Sequence, residues 1–128
     1  MYSYQQQHTN TMRYIQILVF INGIYDILCA ISILLHQQTI QIKIPVLCEL
    51  HIKMFIPNQT PIFERFLAYW NFTYGMIRIS NHSLLISYSY YLEAIFLFNE
   101  CFNDTVNKNK TLFVIVSSLL LGFITSIQ

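Results

Sequence analysis

Apolar residues gather into four long stretches separated by short polar breaks, and the pattern predicts a chain of helices. The first stretch, 14–35, carries Asn22 and Asp26 inside it. About 20 apolar residues cross a bilayer as a helix, so this stretch is long enough to span. The second, 62–79, follows the chain-breaking Pro57 and Pro61, holds Glu64, Arg65 and Asn71, and ends at Arg78. The third, 83–102, contains Glu93, Asn99 and Glu100. Its Leu, Ile, Tyr and Phe residues surround the helix instead of forming one stripe, which favours a buried span over a helix lying on a surface. The fourth, 112–127, has no charge and is slightly short, a mismatch that bilayer thinning absorbs. Ser80-Asn81-His82 is too short for anything but a hairpin between the second and third. The expected fold is all-α: an integral membrane four-helix bundle, up-down-up-down.

Two segments lie outside the spans. Residues 1–13 form a polar tail, and the first ten are expected to be disordered. In 36–61, Leu47, Leu50 and Met54 recur at helical spacing, Glu49 and Lys53 stand four apart, and Pro45 suits a first helical position. An interfacial helix is expected there, with a loop packed over the bundle end as the alternative. Ile40, Ile42 and Ile44 alternate with polar residues, which predicts a short extended piece before it.

Composition strengthens the membrane reading. Of 128 residues 55% are hydrophobic and only 10% charged, against about 25% charged in a typical soluble domain. A small soluble globule has much surface to cover and too few charges here to cover it. A net charge of +1 with no basic stripe argues against nucleic acid as a partner. Cys29, Cys48 and Cys101 form no CxxC, so neither a zinc site nor a redox pair is expected, and no metal or cofactor is implied. The first stretch is longer than a signal-peptide core and reads as an uncleaved anchor. With four spans, both termini share one side with Arg13 and Arg78, while Lys43, Lys53, Arg65, Lys108 and Lys110 lie on the other. The positive-inside rule then puts the loops in the cytosol.

Ionisable groups inside a bilayer cost about 2.5–3.5 kcal/mol each and usually have a partner or a task. At about 1.5 Å of rise per residue, Asn22, Asp26, Arg65, Asn71 and Glu93 fall in one layer. This predicts a structural polar cluster in which Arg65 pairs with Asp26 or Glu93 and the asparagines bond between helices. The sharper alternative makes Asp26 or Glu93 a proton carrier, or an acid/base acting on a lipid. Against catalysis, His8, His36, His51 and His82 fall outside the spans, and no HExxH, GxSxG or phosphate loop occurs. Ser117 and Ser118 read as packing and hydrogen-bonding residues, not nucleophiles. No catalytic residue is assigned.

The run Arg65-Phe66-Leu67-Ala68-Tyr69-Trp70, continuing to Arg78, spells R-x4-W-x7-R. A short turn, an aromatic-rich span and Glu100 follow. This layout resembles the Erg28 family of small four-span membrane proteins, with Arg65, Trp70, Arg78 and Glu100 at matching positions. It departs from the family at Ala68 (usually Gly), Asn71 (usually Thr) and Phe96 (usually His), and in its shorter turn. The resemblance implies a scaffold of the endoplasmic reticulum membrane that tethers enzymes removing methyl groups from carbon four of sterols. The expected function is therefore a non-catalytic multi-pass scaffold or assembly factor in the bilayer, partnered by other membrane proteins or by itself. The alternative is an oligomeric small transporter or channel subunit using Asp26 and Glu93.

Overall fold

The computed structural model describes residues 2–37, 54–55, 61–80 and 82–127. Its elements are α1 (Tyr2–Gln37), α2 (Pro61–Ile79), α3 (Ser83–Phe102) and α4 (Lys108–Ser126). Among the described residues there is no strand, only an isolated antiparallel bridge between Phe55 and Val106. Two helical stretches are long and apolar enough to cross a membrane, Asn10–Leu35 and Lys108–Ser126. The other two are less apolar: α2 carries Glu64, Arg65 and Arg78, and α3 carries Glu93, Asn99 and Glu100 among several Ser and Tyr residues that lower its hydropathy.

The helix boundaries follow local chemistry. Pro61 opens α2, where a missing N–H costs nothing. Asn107 caps α4 by accepting a hydrogen bond from Lys110 N at 3.4 Å. The turn between α3 and α4 puts Asp104 at φ 53, a left-handed conformation that Asp tolerates. The N-terminal segment departs from expectation, because α1 begins at Tyr2 and not after a disordered tail. No Pro or Gly lies between Tyr2 and Asn22, so nothing in the sequence stops the helix from running back through the polar residues.

The helices associate as two close pairs, α1 with α2 and α3 with α4. Each pair is closed by glycine. A Cβ on Gly75 would stand 2.7 Å from Gly23 O and 3.1 Å from Ile27 N. A Cβ on Gly122 would stand 3.2 Å from Tyr90 Cβ. All three glycines of the chain are therefore spent where two helices meet. Contacts of Gly23 with Gly75 and Ile79, and of Gly75 with Ile27, make α1 and α2 antiparallel. Ser87 Oγ donates to Gly122 O at 2.9 Å, and Ser118 Oγ to Glu93 Oε2 at 2.7 Å, so α3 and α4 are antiparallel too.

Three small apolar cores fill the interior. Ala30 and Ile33 of α1 pack on Ala68 of α2. Val19 packs on Ile86 and Tyr90, joining the two pairs. Met54 packs on Ala94, Leu97 and Ile115, and its carbonyl accepts a 2.6 Å bond from Asn107 N. A piece of the long loop is thus tied to the α3–α4 end. The rest of the expected interfacial helix, Leu47 and Leu50 included, and the extended piece at Ile40, Ile42 and Ile44 lie outside the described residues.

The outer faces are apolar on every helix. Phe20 and Ile21 of α1, Phe66 and Phe72 of α2, Leu85 and Ile95 of α3, and Phe113 and Leu120 of α4 are all exposed. The hydroxyls of Thr73 and Ser117 donate back to carbonyls of their own helices, Tyr69 O at 2.8 Å and Phe113 O at 2.8 Å.

Candidate functional site

Among the described residues, the interior holds one charged centre. Arg78, near the end of α2, donates from Nη1 to Asp26 Oδ2 at 2.6 Å and from Nη2 to Glu93 Oε2 at 2.6 Å. Arg78 and Asp26 are each 3% exposed and Glu93 is 8% exposed, so this is a buried triad. Tyr90 of α3 lies under the guanidinium, its ring centroid 4.0 Å from Arg78 Cζ, and the Tyr74 ring is 5.0 Å away. Asn22 Nδ2 donates to Tyr90 Oη at 3.0 Å. Ser118 of α4 completes the shell through its bond to Glu93. All four helices contribute a side chain, and the triad is the main polar joint between the two glycine-closed pairs.

The antiparallel geometry explains how these residues meet. Gly75 packs against Gly23 and Ile27, and Gly23 against Arg78 and Ile79, so the backbones of Arg78 and Asp26 lie about one turn apart along the axis. Helical side chains lean toward their own N-terminus. In an antiparallel pair this tips Arg78 and Asp26 toward each other, and the long guanidinium closes the gap. Glu93, on α3 parallel to α1, leans the same way as Asp26.

The structure brings Asn22, Asp26 and Glu93 of the expected cluster together and puts a different cation among them. Arg65 does not join them: it is exposed near the start of α2, and Arg78 occupies the place assigned to it. Depth counted from the helix ends puts Arg78 at the surface only if α1 begins level with the hairpin, whereas α1 runs well past the end of α2. Asn71 is buried on the same face of α2 as Arg78, but its Nδ2 makes no hydrogen bond, so the expected interhelical bond from that amide is absent. Tyr90 is not among the expected members, and Ser118, expected as a hydrogen-bonding residue, has Glu93 as its partner. Their signal was the i, i+3 and i−3 placement of Tyr90 and Glu93 on one face of α3, together with the polar pair Ser117-Ser118 in an otherwise apolar helix.

The remaining resemblance positions are scattered. Trp70 is half-exposed, packed edge-on against Tyr74 and Phe96 with centroids 5.2 and 5.0 Å apart. Glu100 sits in the last turn of α3, where its carboxylate accepts a bond from the Thr105 hydroxyl. Only Arg78 of the four belongs to the buried centre.

Chemically, the triad can neutralise charge and fix the relative position of the pairs. Both carboxylates face a cation within ion-pair distance. Among the described residues, no three His, Cys, Asp or Glu side chains lie close enough to hold a metal ion. Compared with known proteins, the chain matches no family model, no curated protein and no solved structure.

Proposed function

We propose that the chain crosses the membrane four times and acts without catalysis, as a scaffold that binds other membrane proteins through its outer helical faces. One observation carries this reading: the buried charges pair at the centre, and exposed apolar side chains run along the outside of all four helices. In water that surface would aggregate, whereas in lipid it is the matching solvent. α2 and α3, less apolar than the other two helices, become able to cross once Arg78 is paired with Asp26 and Glu93 inside. Burial of Arg78 also removes it from the orientation tally. Arg13 then opposes the five basic residues counted on the loop side, which favours cytosolic loops and outward termini.

Engagement of Asp26 and Glu93 by Arg78 favours a structural use of these carboxylates over transport through an oligomeric pore. On the sequence resemblance, the scaffold's membrane is the endoplasmic reticulum and its clients are sterol-modifying enzymes. Proximity labelling of the tagged chain in its native cell tests this. Recovery of a reproducible set of membrane enzymes is the expected result, with sterol demethylation enzymes among them. Release of the chain by alkaline carbonate, or labelling of soluble proteins alone, would overturn the reading.

A further inference from the structure

Arg78 brings one positive charge to two carboxyl groups. The side chains that meet this centre are Asn22 and Asp26 from α1, Arg78 and the Tyr74 ring from α2, Tyr90 and Glu93 from α3, and Ser118 from α4. Arg78 is the one cation among them. With both carboxyls ionised, the centre would hold an unbalanced negative charge in a site at most 8% exposed. An isolated charge in an apolar interior is strongly disfavoured, and the group neutralises instead. Two carboxyl groups competing for one site behave as a unit that retains a proton.

We propose that the Asp26–Arg78–Glu93 triad is a binding site for one proton, which makes the buried layer electrically neutral. The geometry gives that proton a place. Ser118 Oγ is 2.7 Å from Glu93 Oε2, and a hydroxyl can turn from donor to acceptor, so the contact survives protonation of Glu93. Arg78 contacts each carboxyl through a different nitrogen, so the proton can reside on either while the other stays paired. The inference rests on the membrane-spanning reading above, which carbonate extraction tests by itself.

Infrared spectroscopy of the full chain in phosphatidylcholine nanodiscs at neutral pH tests the proposal by counting protonated carboxyl groups. The baseline is the double variant Asp26→Asn/Glu93→Gln, which cancels the carboxyl groups outside the triad. Relative to it, the native chain should show one acid carbonyl band that shifts in heavy water. Asp26→Asn alone and Glu93→Gln alone should each abolish the band, because the remaining carboxylate pairs with Arg78 and needs no proton. Arg78→Gln should double it. Circular dichroism confirms helicity in each sample. If Arg78→Gln fails to fold, the two isosteric single variants carry the test. No band in the folded native chain, or a band that survives both single substitutions, would refute the proposal. So would a thermal midpoint that falls when choline replaces sodium in the absence of the band, since a sodium ion would then be the neutralising species.

Discussion

Gly75 of α2 stands so close to Gly23 of α1 that a Cβ on Gly75 would lie 2.7 Å from the Gly23 carbonyl oxygen. The two charge partners are offset by three residues from these glycines, Arg78 from Gly75 and Asp26 from Gly23. The close approach therefore positions the ion pair. Gly75→Ala meets backbone on the facing helix, at Gly23 O and at Ile27 N 3.1 Å away, and backbone cannot yield as a side chain does. Overpacking of this kind costs about 1–3 kcal/mol. Gly122→Ala should cost less, since its nearest neighbours are the Tyr90 Cβ and the Tyr91 ring at 3.2 Å or more. Thermal unfolding in detergent should rank the variants in that order, and a larger loss for Gly122→Ala would mean that α1 and α2 are not in backbone contact.

Arg78 and Arg65 should behave very differently. Arg78→Gln leaves two buried carboxyl groups without their cation, and breaking a buried pair from one side typically costs about 3–5 kcal/mol. Arg65→Gln acts at an exposed position, where ion pairs contribute about 0–1 kcal/mol. The triple variant Asp26→Asn/Arg78→Gln/Glu93→Gln should recover much of the loss, because the buried layer then needs neither a cation nor bound protons to be neutral. Equal destabilisation by Arg78→Gln and Arg65→Gln, read from unfolding in detergent, would show that the triad does not hold the pairs together.

The sequence carried the helix positions well because apolar stretches, Pro61 and the three-residue turn are local signals. It also placed Asn22, Asp26 and Glu93 in one layer, since their separation from the helix ends is a matter of counting. The choice of cation was not legible in that way. Whether Arg78 or Arg65 reaches the carboxylates depends on the register of α2 against α1, which the Gly23–Gly75 contact sets and hydropathy does not encode. Side-chain lean then carries Arg78 inward by more than its backbone depth suggests. The glycines held the missing information, since each stands three residues from its charge partner. The start of α1 is not legible for a different reason: polarity in Tyr2–Asn10 points to disorder, whereas helix formation needs only compatible residues next to an established helix.

The rotation of α4 can be checked with its two adjacent serines. Ser118 is buried and donates to Glu93 Oε2, whereas Ser117 donates to Phe113 O on its own helix. A hydrogen bond to a charged group contributes about 1.5–3 kcal/mol. Ser118→Ala should therefore lower stability by roughly that amount or somewhat less if Glu93 relaxes. Ser117→Ala removes only a local bond and should be nearly silent. The pair is measured by denaturation in mixed micelles, and a reversal of the two effects would mean that α4 presents its other face to α3.

Thiol chemistry gives a test of burial and sidedness together. Cys29 is fully buried in α1, and Cys101 is partly exposed at the end of α3, away from the α2–α3 turn. In a Cys48→Ser background a small maleimide should modify Cys101 in the folded protein and reach Cys29 only after denaturation. In sealed vesicles an impermeant maleimide adds the topology, because Cys101 lies at the end of the bundle that carries Lys108 and Lys110. With loops in the cytosol, Cys101 should be protected in right-side-out vesicles and labelled in inverted ones. Mass spectrometry of the intact chain counts the added groups. Labelling of Cys29 before denaturation would contradict its packing between helices, and labelling of Cys101 from the outer side would reverse the orientation while leaving the bundle intact.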